Sequence, residues 1–178
     1  MEPIPSFLDF EASSLSPQSY PIEIAWSMGD GSVESYLISP DAMESWTDWD
    51  PEAERIHGIP RAYLLANGHP PAYVCGVANQ RLRGRIVYCD APDFDGMWLA
   101  KLFAACGDQG PRFELKHADE LILSMISSEP FNLARSFQKI GALKIEARKQ
   151  KPLRHRASWD VEYLIRLWQL ARAEVSQP

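Results

Sequence analysis

The sequence predicts an α/β chain in which a mixed sheet is flanked by helices. Two observations carry this. The first 40 residues read as three strands with period-two alternation of apolar and polar side chains. After them, segments of helical periodicity alternate with short apolar runs of the kind a buried parallel strand shows.

The first strand is SFLDFEA (6–12). PIEIAWSM (21–28) and VESYLIS (33–39) follow, joined by Gly29-Asp30-Gly31, and Asp30-Gly31 suits a tight hairpin between antiparallel strands. Short helices fit 51–59, 61–68 and 71–84, each bounded by Pro or Gly. Ile86-Val87-Tyr88-Cys89 is a short apolar strand, and 95–105 is a helix whose stripe is Met97, Trp98, Leu99, Leu102 and Phe103. A fifth strand is expected at 113–116. Helices are expected at 118–127 and 132–140, and a last one at 158–174, where Val161, Leu164, Trp168 and Ala171 recur at helical spacing.

A chain of 178 residues is expected to fold as one domain, 1–178. No apolar run approaches the roughly 18 residues a membrane helix needs, and no signal peptide is visible at the N-terminus, so a cytoplasmic location away from membranes is expected. Cys75, Cys89 and Cys106 are odd in number and form no CxxC pair, which reads as reduced thiols rather than a disulfide or zinc framework. The net charge of −6 argues against a protein that coats nucleic acid non-specifically. Its distribution is uneven. Eight acids and no Lys or Arg lie between Asp30 and Glu54, whereas six bases and one acid lie between Lys144 and Arg156. Solvated faces account for either run, but the basic one leads into His155 and is a candidate for phosphate contacts.

Three short signatures carry the chemistry. Asp9 and Glu11, two apart on a strand, leave the same face together with Phe7, while Leu8 and Phe10 point to the other. Two adjacent carboxylates repel and lose hydration unless a cation offsets them; taken alone, a D-x-E is more often a wet strand end. Phe94-Asp95 opens a helix after the strand 86–89. An acid there is often only a helix-dipole or capping residue, and Asp90 and Asp93 are rivals for any metal role. His155 and Asp160, five apart, would diverge by about 140° on one regular helix. They can serve one site only if His155 lies on a loop ahead of the helix, which Pro152 and the preceding bases favour. By itself His155 reads as a surface histidine in a basic run.

Together, Asp-x-Glu, Phe-Asp opening a helix and His-x4-Asp opening the C-terminal helix resemble the DEDDh branch of the DnaQ-like 3′–5′ exonucleases. The resemblance spans nearly the whole chain. Ala53-Glu54-Arg55-Ile56-His57-Gly58-Ile59 is similar to a segment many members carry between the first two motifs, with His57 structural or substrate-supporting. The resemblance implies a ribonuclease-H-like mixed five-stranded sheet, three antiparallel N-terminal strands plus parallel ones. It further implies Asp9, Glu11, Asp95 and Asp160 as ligands of two Mg²⁺ (or Mn²⁺) ions, with His155 as general base. Oxygen-only ligation suits hard cations, and the ordinary imidazole pKa of roughly 6.5 suits a base working near neutrality. By the same resemblance the backbone at Ala12, Ser13 and Ser14 would line the terminal nucleotide, and Leu15 would wedge against its base. One departure stands out: where many relatives have His-Asn, this chain has Asp90-Ala91.

The activity implied is removal of nucleotides from a free 3′ end of single-stranded DNA or RNA, with Trp46, Trp49, Tyr63 and Trp159 as candidates for base stacking. A catalytically silent binding or interaction module on the same fold is the alternative; a phosphoesterase of small nucleotides is a third. A two-fold homodimer is compatible with the reading, since it could bring one subunit's basic run to the other's site.

Overall fold

The structure, a computed structural model, describes residues 3–107, 110–126, 133–149 and 155–175. Five strands form one mixed sheet: β1 (Ser6–Ala12), β2 (Pro21–Ser27), β3 (Val33–Leu37), β4 (Ile86–Cys89) and β5 (Glu114–His117), in the order β3-β2-β1-β4-β5. β1, β2 and β3 pair antiparallel, while β4 and β5 join parallel to β1. This is the ribonuclease-H-like arrangement expected from the sequence.

The turn between β2 and β3 forms as Asp30-Gly31 predicts. Gly31 takes φ of 89°, its N–H donates to the Met28 carbonyl at 2.9 Å, and the Asp30 carboxylate accepts from the Ser32 N–H. A left-handed residue at this place suits glycine.

Helices α1 (Pro51–His57), α2 (Arg61–Asn67), α3 (Pro71–Arg81), α4 (Pro92–Ala104), α5 (Ala118–Ile126), α6 (Leu133–Arg148) and α7 (Ala157–Val175) cover the sheet. Alternation along β1 divides the core in two. Leu8 and Phe10 join Ile22, Ile24 and Trp26 of β2 and pack with Val74, Ala78, Trp98 and Leu102 of α3 and α4. On the other side Phe7 and Ala25 pack with Ile122, Ile140, Val161 and Leu164 of α5, α6 and α7. The face of β2 that meets α7 carries the small Ala25 and Ser27 beside Glu23, so the helix lies close against the sheet that presents Asp9 and Glu11.

Three expectations need correction. α4 begins at Pro92 rather than at Asp95, because a proline at the first helical position has its φ preset and lacks an N–H that would go unpaired anyway. α6 runs through Gly141 to Arg148 rather than stopping at 140: one helical glycine costs only about 1 kcal/mol, which packing of Leu143 and Ala147 outweighs. Cys75 and Cys106 form a disulfide that closes a separation of 31 residues, so only Cys89 among the three is a free thiol. The expected helix boundaries at Ser127 and Asn132 lie outside the described residues. Among the described residues no helix is long and apolar enough to cross a membrane.

Candidate metal centre and nucleotide site

Asp9 and Glu11 project from β1 on the α7 side, as period two requires, and Asp160 lies in the first turn of α7 with its N–H on the Arg156 carbonyl at 3.1 Å. One carboxylate oxygen from each of Asp9, Glu11 and Asp160 falls within 4.8 Å of the others, and all three side chains are partly buried. Three acids so close in partial burial repel strongly unless a cation or protons offset them.

Asp95 stands beside this trio rather than in it. Its carboxylate is 2% exposed, accepts weakly from the Ala91 N–H at 3.4 Å, and interacts with the Cys89 thiol and the Phe10 backbone between Asp9 and Glu11. Burial pushes it up to about 7, with Asp90 adding to the rise. Burial also drives the Cys89 thiol far up, and Asp95 and Asp9 add to that rise, which places both acids around the end of β4. Its rivals are otherwise engaged: Asp90 pairs with Lys144 at 3.3 Å, and Asp93 is exposed.

His155 sits ahead of α7, outside the helix, the placement in which it and Asp160 can face one site. Its N–H donates to the Ile56 carbonyl at 3.2 Å, tying this segment to α1. The ring is half exposed, and its Nδ1 comes within 3.9 Å of an Asp160 oxygen. His57 is different. It is 3% exposed, its Nδ1 accepts from the Ile59 N–H at 3.0 Å, and burial lowers it to about 4. The imidazole is thus neutral and enclosed in the fold.

The segment after β1 is rigidly built. Ser13 N–H donates to the Tyr20 carbonyl, the Ser13 hydroxyl accepts from Tyr20 N–H, and the Ser13 carbonyl accepts from Asp50 N–H. The Ser14 and Ser16 hydroxyls both donate to Asp48. Ala12, Ser13 and Ser14 are consequently buried, while Leu15 stands out of this frame at 72% exposure. Of the four stacking candidates, Trp46 is core, stacked on Tyr20 at 5.2 Å. Trp49 is held by a 2.7 Å hydrogen bond to Glu54, Trp159 is partly buried, and Tyr63 is exposed.

Among the described residues, the bases of the run from Lys144 to Arg156 each have a partner. Lys144 bridges Asp90 and Asp119, Lys149 pairs with Glu146, and Arg148 lies over the Tyr163 ring. Arg156 is committed to Glu23. Lys151, Pro152 and Arg154 lie outside the described residues.

Glu23 and Arg156 are what sequence reasoning missed. Glu23, fully buried, is the direct antiparallel partner of Glu11. The one signal was a glutamate inside the apolar run Ile22 to Trp26, where a charge needs a partner.

No protein-family profile matches the chain, and none of the curated proteins does. Solved structures do match. E. coli exonuclease I in complex with a dA16 oligonucleotide superposes with a TM-score of 0.66 at 17% identity, covering 96% of this chain and 42% of that one. Over that matched part the fold is that of exonuclease I. Exonuclease I from Methylocaldum szegediense gives a TM-score of 0.65 at 17% identity, covering 96% of this chain and 41% of its own. The zinc-bound E. coli complex of exonuclease I with single-stranded DNA gives 0.62 at 18%, again over 96% and 41%. These neighbours belong to the DnaQ-like DEDDh exonucleases, the group the sequence motifs resemble. The chain spans about two fifths of the length of the exonuclease I chains it matches.

Proposed function

We propose that this chain is a divalent-metal-dependent 3′–5′ exonuclease domain, spanning 1–178, that hydrolyses the terminal phosphodiester of single-stranded DNA or RNA. The observation that carries the reading is the meeting of Asp9, Glu11 and Asp160 within 4.8 Å, with the His155 ring beside Asp160. The likeness to exonuclease I supports it, because those proteins have been seen with single-stranded DNA on the same fold.

Asp9, Glu11 and Asp160, with Asp95, would hold two Mg²⁺ or Mn²⁺ ions; an all-oxygen set of four carboxylates fits hard cations. Such ions, when bound, supply Lewis acidity at the scissile phosphate and charge for the leaving 3′ oxygen. The remaining work falls to the chain. His155, half exposed and outside α7, takes the proton from the attacking water as general base. Asp160, near its ring, favours the imidazolium that results. The hydrogen-bonded Ala12–Ser14 backbone fixes the terminal nucleotide, and Leu15 packs on its base.

A 5′-labelled single-stranded DNA and RNA series, with Mg²⁺ or EDTA, tests this. The expected result is a ladder shortened from the 3′ end that vanishes in EDTA and in Asp9→Ala. His155→Ala should lower the rate by about 10²–10⁴-fold while leaving folding intact. Binding without shortening by the wild-type chain in Mg²⁺ or Mn²⁺ would instead support a silent nucleic-acid-binding module.

A further inference from the structure

Glu23 and Glu11 occupy paired positions on adjacent antiparallel strands, so both side chains leave the same face of the sheet. They meet opposite surroundings. Glu11 is partly buried in the trio with Asp9 and Asp160. Glu23 is 0% exposed and accepts four hydrogen bonds: from Ser35 Oγ at 2.8 Å, from Arg156 Nε at 2.9 Å and Nη2 at 2.6 Å, and from the Ala157 N–H at 3.2 Å. Two of these form the forked guanidinium–carboxylate geometry, which fixes orientation as well as charge. The Ala157 bond comes from the first residue of α7, whose N-terminal N–H groups have no partner within the helix.

The consequence reaches the carboxylate cluster. Asp160 is three residues beyond Ala157, and His155 is the residue before Arg156. Whatever seats Arg156 and Ala157 also sets where Asp160 and His155 stand relative to β1. Arg156 has a second potential partner as well, since Glu11 acts on its guanidinium. A guanidinium released from Glu23 would move to Glu11 and compete there with any cation.

We propose that Glu23 and Arg156 are a positioning pair for the metal centre: they pin the start of α7 against β2, and Glu23 takes up the Arg156 charge that would otherwise bear on Glu11 alone. The proposal rests on the reading above only in taking Asp9, Glu11 and Asp160 as cation ligands. Neither residue touches the reacting atoms; each acts through Glu11, Asp160 and His155.

Mn²⁺ binding, followed by the EPR signal of free Mn²⁺ without any substrate, tests it. Glu23→Gln keeps the shape and the Ala157 acceptor but frees the arginine charge. Mn²⁺ affinity should fall by about 10–100-fold, the usual cost of losing a partner behind a metal ligand. The double variant Glu23→Gln/Arg156→Gln removes the competing charge but not the lost pin on α7, and should bind several-fold more tightly than Glu23→Gln while staying weaker than wild type. Arg156→Lys, a milder change that cannot fork onto Glu23, should weaken binding in the same direction and covers the case in which Glu23→Gln does not fold.

Wild-type affinity in both Glu23→Gln and Arg156→Lys would overturn the proposal. So would a double variant as weak as Glu23→Gln, since a merely structural pair gives no recovery. A wild-type chain that binds Mn²⁺ yet leaves oligonucleotides intact would refute the exonuclease reading and leave this pair untouched.

Discussion

Asp95 offers a measurement in which stability and function pull in opposite directions. Burial pushes its carboxyl up to about 7, against roughly 3.9 for a free aspartate. The folded chain therefore keeps a proton that the unfolded chain releases near pH 4. Stability tied to that proton is fully present below about pH 4 and is lost as pH rises through about 7. At 1.36 kcal/mol per pH unit, the loss by pH 8 is about 4 kcal/mol, an order-of-magnitude figure. Asp95→Asn keeps the shape and the acceptor for the Ala91 N–H while removing the charge. In EDTA at about pH 8 the variant should be more stable than wild type by about 2–4 kcal/mol, and at about pH 4 the two should be equal. Urea denaturation across this range reads the difference. Saturating Mg²⁺ should then raise wild-type stability, by about 2.7 kcal/mol at a hundredfold excess over Kd, and leave the variant nearly unmoved. A variant no more stable than wild type at pH 8 in EDTA would refute the burial argument, and equal Mg²⁺ stabilisation of both would remove Asp95 from the metal site.

Leu15→Ala should leave thermal stability unchanged, because the side chain is 72% exposed. If Leu15 wedges on the terminal base, KM should rise about fivefold, corresponding to about 1 kcal/mol of apolar burial, and steady-state kinetics on a short oligonucleotide checks this. The Cys75–Cys106 bond closes a 31-residue separation, so Cys75→Ser should lower stability by about 3–4 kcal/mol on the loop-entropy account. Non-reducing and reducing melts of wild type should differ by the same amount, and the variant should show no such difference.

Local pattern made much of the fold and site legible. Alternation in 6–12 assigned Asp9 and Glu11 to one face, because a period of two leaves a strand no other choice. Helix geometry allowed His155 and Asp160 to serve one site only with His155 outside α7, and that is where it lies. Of Asp90, Asp93 and Asp95 the last is the buried one, although α4 starts earlier than expected. What escaped was tertiary. Glu23 meets Arg156 across 133 residues, and Lys144 meets Asp90 across 54. The basic run between 144 and 156 looked like one charged surface because the acids that pair with Lys144 and Arg156 lie elsewhere in sequence. The disulfide escaped for the same reason: it depends on where α3 and the end of α4 lie in space, not on spacing.

Five acidic groups converge around the ends of β1 and β4, and a largely apolar interior can tolerate that in only a few ways. Glu23 is neutralised by a forked arginine and a helix N-terminus. Asp95 is held by its own proton until about pH 7. Asp9, Glu11 and Asp160 face one another, partly open to solvent, with their oxygens close enough for one ion to reach all three. That division also explains how two glutamates can be adjacent on the same sheet face and do different work. Register places Glu11 and Glu23 side by side, and the difference between them is made by α7, which brings a cation to one and an aspartate to the other. The seating of the chain at the start of α7 decides which glutamate meets Arg156 and which meets Asp160.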